Sequence, residues 1–359
     1  MSILLGIETS CDECSASVLL QEKNSYTPLS VSTYSQIDLH IPFGGVVPEV
    51  ASRNHLEQIQ PVVFDALKKA NVEVADCDAI AVTNRPGLIG ALLVGVTAAK
   101  SLAYATKKIL VPVHHLEGHL MSAFLTPPAV AKSGGKNPAE QIKFPAVFLL
   151  VSGGHTNLHF IEKPPLEWPS DILKTSLYGR SIDDAAGEAF DKTAKLLGFP
   201  YPGGRWIDES AQGGDPRAFD LPRGLKQKDS RDFSFSGLKT AVLLLSKRLQ
   251  MEGSLESAMA DVCASVQEAI IEPLITKALR LAREKNAKSM VVVGGVAANS
   301  RLRARLQAEA QIPVVYPDLQ YCTDNAAMIA AAGAVRFAQG HGLRSQDFLK
   351  LNAFAIAES

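Results

Sequence analysis

Three of the eight histidines in this 359-residue chain fall in one short run, Val113-His114-His115-Leu116-Glu117-Gly118-His119. His115 and His119 are four apart, which on a helix places them one turn apart on one face. Two imidazoles presented that way make half of a divalent-metal site. His114 would lie ~100° round from His115 and reads as a supporting or packing residue. Glu117 follows His115 by two positions, ~200° round the helix. A zincin sets its base directly after the first histidine, as H-E-x-x-H. Here the carboxylate points off the metal face, which ranks peptide hydrolysis low.

Glycine-rich turns offer a second chemistry. Ser152-Gly153-Gly154 follows a buried apolar run, where glycines let backbone N–H groups converge on an anion. A plain tight turn fits those residues equally well. Gly294-Gly295 ends another apolar run and leads to Asn299 at a helix start, a common resting place for a nucleoside. Asp12 and Glu13 occupy an early polar turn, where one of them could accept a proton or both could simply order the turn. Cys11-Asp12-Glu13-Cys14 is a lone C-x-x-C, weak grounds for zinc or redox work. Three small basic groups, Lys107 with Lys108, Lys226 with Lys228, and Arg301 with Arg303 and Arg305, read first as solvated faces and second as RNA contacts.

Periodicity gives the elements that must position these residues. Residues 3–8 read as a buried strand and 15–20 as an alternating one, together a hairpin. Residues 34–49 form a long loop, 49–70 a helix, 79–83 a strand ending in a turn at 84–87, 88–105 a helix, and 109–113 a strand that runs into the histidines. Residues 127–141, rich in Pro, Gly and Ala, are expected to be a flexible surface loop near a lobe boundary. The second half opens as the first does, with a strand at 146–151, a polar turn, and alternation at 157–161. An amphipathic helix at 183–198 follows, then a charged, loop-rich stretch at 201–236 and a long helix at 257–282. A strand at 289–293, a helix after Asn299 and a helix at 326–337 capped by Thr323-Asp324-Asn325 complete the chain. Two similar openings suggest an internal duplication. The expected class is α/β in two lobes, 1–113 with 325–359 and 114–324.

Composition narrows the rest. The length exceeds what one core usually serves. With 47% hydrophobic and 20% charged residues the chain has the make-up of a globular enzyme. A net charge of −1 argues against a broad basic face that binds RNA unaided. Five scattered cysteines fit a reducing cytosol better than a disulfide framework. The N-terminus has no basic n-region, and the longest low-charge run, 86–99, is shorter than the ~20 residues of a membrane span. The expectation is a cytoplasmic protein with no membrane partner.

The motifs taken together carry a resemblance. They are Gly6-Ile7-Glu8-Thr9-Ser10-Cys11-Asp12-Glu13, the Gly-Gly-Val-Val-Pro-Glu run at 44–49, His-Leu-Glu-Gly-His at 115–119, Leu150 to Thr156 and Asp183 to Lys192. Tyr201-Pro202-Gly203-Gly204, Ser234 to Thr240, Gly294 to Asn299 and Cys322-Thr323-Asp324-Asn325 complete the set. In order and spacing, from Gly6 to about Phe337, these resemble the TsaD family, the tRNA threonylcarbamoyladenosine transferases once described as O-sialoglycoprotein endopeptidases. The resemblance implies the two-lobed actin-like ATPase fold of heat-shock chaperone ATPases and sugar kinases, with duplicated halves and a central cleft. It adds Asp324 as third metal ligand beside His115 and His119, a set that suits Fe(II), with Zn(II) as the alternative. It assigns Leu150, Val151, Ser152, Gly153, Gly154, Asp191, Gly204, Asp208 and Asn299 to a pocket for threonylcarbamoyl-AMP, and sets Asp12 and Glu13 as acid/base candidates. The implied reaction moves the threonylcarbamoyl group from L-threonylcarbamoyl-AMP to N6 of the adenosine 3′ of a tRNA anticodon and releases AMP. Implied partners are tRNA, a TsaB-like paralogue and a TsaE-like ATPase. The chain departs from the family pattern at Arg85, where Gly is usual, and at Arg205, where Pro is frequent. Each cation either alters anion binding or points outward. Three rivals remain: a kinase of the same superfamily, which would not need the histidine pair; a metallopeptidase, weakened by Glu117; and a metal-less scaffold, which His115, His119 and Asp324 argue against.

Overall fold

In the computed structural model the described residues are 1–133, 135–225 and 230–356; Lys226 and Lys228 lie outside them. The apolar runs of the first half become β1 (Ser2–Glu8), β2 (Glu13–Glu22), β3 (Ser25–Ser35), β4 (Ala79–Arg85) and β5 (Ile109–His114). Helices α1 (Ile37–His40), α2 (Pro48–Ala70), α3 (Ile89–Thr106), α4 (His115–Ser122) and α5 (Pro128–Ser133) accompany them. The second half supplies β6 (Ala146–Val151), β7 (Thr156–Ile161), β8 (Leu177–Arg180), β9 (Ser289–Val293) and β10 (Val314–Val315). Its helices are α6 (Ile172–Thr175), α7 (Ala186–Leu196), α8 (Gly203–Ser210), α9 (Ser236–Met251), α10 (Met259–Glu284), α11 (Ser300–Glu309) and α12 (Ala326–Ala338).

The strands form two sheets ordered β3-β2-β1-β4-β5 and β8-β7-β6-β9-β10. In the first, β1 and β2 and then β2 and β3 pair antiparallel, while β1, β4 and β5 run parallel. In the second, β6, β7 and β8 are antiparallel to their neighbours, while β6, β9 and β10 run parallel. The two sheets therefore share one topology, and the duplication suggested by the two hairpins is present in the strand order.

The chain divides into unit 1, residues 1–140, 163–173 and 317–359, and unit 2, residues 141–162 and 174–316. These boundaries differ from 113/114 and 324/325. The reason is that α4 packs on α12, which itself covers β1, β2 and β4, so the histidine helix and Asp324 stay with the first sheet. Residues 128–133 and 138–141, expected as loop, are short helical turns.

In unit 1 the strand period of two sorts the core. Leu5, Ile7, Ile80 and Val82 pack with α2 and α3 residues such as Val62, Val63, Val96 and Ala99. Gly6 and Ala81, on the alternate face, receive α12: a Cβ on Gly6 would sit 2.4 Å from Ala326 O, and one on Gly333 would sit 2.4 Å from Ala81 Cβ. Helix α3 continues past the low-charge run to Thr106 and is long and apolar enough, by length and composition, to cross a membrane. Here Ala91, Leu92, Gly95, Val96, Ala99 and Ala103 are buried, and the helix packs on β4 and α2.

Several elements escaped the sequence reading. Strand β3, SYTPLSVSTYS, is polar and holds a proline, which an edge strand tolerates. Helix α8 opens on two glycines and lies inside the stretch expected as loop.

Candidate metal centre and anion-binding turns

Strand β5 passes into α4 with no intervening loop. The His114 side chain caps the helix, its Nδ1 accepting from Leu116 N at 3.2 Å. That start sets His115 in the first turn and His119 one turn later. At the far end of the sequence, Asn325 caps α12 by accepting from Met328 N at 3.0 Å, and Asp324 directly precedes it. His119 Nε2 and His115 Nε2 lie 3.2 and 3.5 Å from Asp324 Oδ1. One donor atom from each of the three lies within 4.8 Å of the others, so the group could hold a metal ion.

The surroundings fit such an ion. The fully buried Glu8 takes the other nitrogen of His115: Nδ1 donates to Glu8 Oε2 at 3.0 Å, and Ser10 Oγ lies 3.1 Å from the same nitrogen. Thr83 Oγ1 donates to the same Glu8 oxygen at 2.7 Å, and Ser10 N donates to Glu8 Oε1. A carboxylate behind a histidine in this way fixes its tautomer and ring plane. His119 is fully buried, and apart from Asp324 its ring nitrogens have no hydrogen-bond partner among the described residues. Two imidazole nitrogens and one carboxylate oxygen form the donor set that suits Fe(II), and also Zn(II).

Charge follows the geometry. Burial works to neutralise His115, but Asp324 and Glu8 outweigh it and push its pKa well above the ordinary value. Burial raises both acids, but His115 overcomes it, holding Asp324 well below the usual carboxylate range and Glu8 below it too. A metal cation would take the place of the proton on Nε2.

Glu117 leaves the metal face, as its spacing required. It forms a bidentate ion pair with Arg336 of α12, with Nε 2.6 Å from Oε2 and Nη2 on Oε1. A carboxylate committed to a guanidinium cannot serve as the base of a zincin.

Asp12 is buried at the β1–β2 turn and its carbonyl accepts from Gln36 N at 3.0 Å. Glu13 opens β2 opposite Ser35. Burial, then Asp12 and Asp324, push the Glu13 carboxyl well above its ordinary range. The same influences raise the Cys11 thiol, and all five cysteines are free.

In unit 2 the sequence-predicted residues form one chain of contacts at the carboxyl ends of β6 and β9, where open α/β sheets place ligands. Ser152 N donates to His155 O at 2.8 Å and closes the turn. A Cβ would meet nothing within 4 Å at Gly153, Gly154 or Gly295, which leaves these backbones open. Gly187 N donates to Ser152 O at 3.2 Å, and a Cβ there would lie 2.8 Å from Gly153 Cα. Gly294 has φ 93° and a Cβ would sit 2.4 Å from Val151 O, so this site takes only glycine. Asp191 Oδ1 accepts from Gly203 N at 2.7 Å, tying α7 to the start of α8 beside Gly204. Asp208 accepts from Gln267 Nε2 at 2.6 Å, Ser300 Oγ at 2.7 Å and Ser300 N at 2.9 Å. Asn299 caps α11, its side chain accepting from Leu302 N. Leu150 and Val151 are fully buried in β6, so only their backbone could reach a ligand.

Among the described basic residues, Lys108, Arg301, Arg303 and Arg305 are engaged locally. Arg301 and Arg305 share Glu268 at 3.0 and 2.5 Å. Arg303 donates to Ala297 O and lies over Tyr316, 4.6 Å from its ring centre. Lys108 donates to Ala75 O, and Lys107 ends α3 in a left-handed conformation. Arg205 is exposed and pairs with Glu209 of its own helix at 2.6 Å, so it points outward. Arg85 stands at the end of β4, paired in register with His114. The sequence reading gave no role to Glu8, Thr83 or Arg336. An acid inside the apolar run ILLGIE was the available signal for Glu8.

The family model described as "TsaD: tRNA N6-adenosine threonylcarbamoyltransferase" matches residues 28–331. A protein of that name from Polaromonas naphthalenivorans is 49% identical over 343 residues, 94% of this chain and 90% of its own. One from Bacillus cereus is 46% identical over 343 residues, 94% of this chain and 92% of its own. Among solved structures, component A of the (R)-2-hydroxyglutaryl-CoA dehydratase of Acidaminococcus fermentans aligns with TM-score 0.51 at 16% identity, covering 94% of this chain and 100% of that one. That likeness concerns the fold alone. The match over most of the chain, joined to a histidine–histidine–aspartate group and glycine turns in the family's order, makes this chain a member of the TsaD family of tRNA N6-adenosine threonylcarbamoyltransferases.

Proposed function

We propose that the chain transfers a threonylcarbamoyl group from L-threonylcarbamoyl-AMP to N6 of the adenosine 3′ of a tRNA anticodon, forming N6-threonylcarbamoyladenosine and releasing AMP. The convergence of His115, His119 and Asp324, backed by Glu8, is the observation that carries this reading. The group holds one divalent ion, Fe(II) first and Zn(II) as the alternative. When bound, that ion supplies a Lewis acid for charge that develops in acyl transfer.

The turn at Ser152-Gly153-Gly154 takes the phosphate through its open backbone, and Asp191, Gly204, Asp208 and Asn299 surround the nucleoside and threonyl parts. The tRNA amine attacks the carbamoyl carbon, the bond from that carbon to the phosphate oxygen breaks, and AMP departs as the anion. The amine proton passes to one of the two acids of the β1–β2 turn, Asp12 or Glu13. A net charge of −1 supports a subunit that shares its RNA surface with partners, a TsaB-like paralogue and a TsaE-like ATPase. The exposed apolar side chains of Leu56, Phe64, Ile89 and Leu93 on α2 and α3 support a protein partner as well. The place of action is the cytoplasm, without a membrane partner. Mass spectrometry of tRNA nucleosides after incubation with the adenylate and candidate partners tests this. The modified nucleoside should form only with adenylate present; its absence under every partner combination overturns the reading.

A further inference from the structure

Two helices carry the metal ligands: α4 holds His115 and His119, and α12 starts just after Asp324. The three donor atoms meet only if α4 is correctly rotated and seated on α12. Helix α4 has 8 residues, about two turns, too short to hold its own setting. Contacts on its other faces must therefore fix it. Gly118 gives close approach, since a Cβ there would sit 2.6 Å from Ile329 Cδ1 and 3.1 Å from Met328 Cγ. Glu117, on the side away from the ligands, reaches the Arg336 guanidinium through both oxygens. The pair is 8% and 16% exposed and lies among Met121, Trp168, Ile172 and Val335. Arg336 Nη2 also donates to Ser170 O at 3.0 Å, and Gln339, one turn on, donates to Trp168 O at 2.8 Å. The guanidinium is thus held on a second side.

We propose that Glu117 and Arg336 are positioning residues for the metal centre: their bidentate pair sets the rotation of α4 on α12 and so the meeting of His115, His119 and Asp324. This rests on the metal reading above. A planar fork against a carboxylate fixes direction as well as distance. As a source of stability alone a buried ion pair is a weak device, since apolar replacements often do as well.

Co(II) is the probe, added to the full chain freed of metal by chelation, with affinity from calorimetry and coordination from the visible ligand-field bands. Wild type should bind one Co(II), and H119A should not. E117Q and R336K should each bind about 10–100-fold more weakly, with altered bands. E117Q/R336Q should lose no more than either E117Q or R336Q alone, as expected when two residues act as one unit. R336K carries the test should E117Q fail to fold. If wild type binds and both E117Q and R336K keep its affinity and bands, the proposal fails alone, however far their melting temperatures fall. If wild type binds no Co(II), the metal reading fails and takes this proposal with it.

Discussion

His115 presents Nε2 to Asp324 because Glu8 occupies Nδ1 at 3.0 Å. Removing that carboxylate should therefore weaken the centre without touching a ligand. Glu8→Gln keeps the shape and, with its oxygen toward Thr83 and His115, those bonds, while it gives up the bond from Ser10 N and the charge behind the imidazole. Its bound metal, read by elemental analysis against a titration, should show affinity lowered about 10–100-fold with circular dichroism unchanged; wild-type affinity would count against this role. The residues differ in how legible they were. His115 and His119 are neighbours by helix geometry, so four positions of sequence were enough. Glu8 is 107 residues from His115, and nothing local joins the two. Asp324 was legible only through resemblance, as it lies at the other end of the chain. Glu117 was legible by exclusion from the metal face, but its partner Arg336, 219 residues away, was not.

Elements set these residues by close packing. Helix α12 lies so near β1 that a Cβ on Gly6 would meet Ala326 O at 2.4 Å and Ala330 N at 2.8 Å, both backbone atoms that cannot swing aside. Gly6→Ala should destabilise the protein by about 1–3 kcal/mol, as overpacking does. It should also move the start of α12 and lower bound metal, which thermal unfolding and metal analysis would register together. Strand β7 makes a different prediction. His159 is fully buried, bonds Ser176 Oγ through Nδ1 at 2.9 Å, and has no partner for Nε2 among the described residues. Burial lowers its pKa from 6.5 to about 4. Between those values the unfolded chain takes up a proton that the folded chain refuses. The stability that His159 supports is complete above pH 6.5 and falls as pH drops toward about 4, by up to about 3 kcal/mol. His159→Gln should flatten that slope in denaturant titrations across the same window. Strands β6 and β9 were legible to the residue because each is a short continuous apolar run stopped by a turn, β6 at Ser152-Gly153 and β9 at Gly294. Strand β3 was not, because an edge strand half in water needs no apolar pattern.

At the scale of the whole molecule, one topology carries two candidate sites. The β1–β2 turn, α4 and the start of α12 assemble the candidate metal group within unit 1, while the β6–β7 turn, α7, α8 and α11 carry the proposed anion turns within unit 2. Separate sites should yield to separate substitutions. A Cβ on Gly187 would press on Ser152 O at 2.6 Å and on Gly153. Gly187→Ala should weaken AMP binding in calorimetry and leave metal content at the wild-type level; loss of metal in this variant would contradict the division. The duplication was legible because each half opens with a strand, a polar turn and an alternating strand. The lobe boundaries were not, because unit 1 is assembled from three separate stretches of chain and no composition shift marks the returns.

Asp324 follows His119 by more than half the length of the chain, and α12, which fills the open face of the first sheet, comes later still. On the ribosome, the two histidines therefore emerge long before the aspartate that joins them, and the groove of Gly6 and Ala81 stays empty until α12 has followed. A metal ion that needs all three side chains could be held only after that.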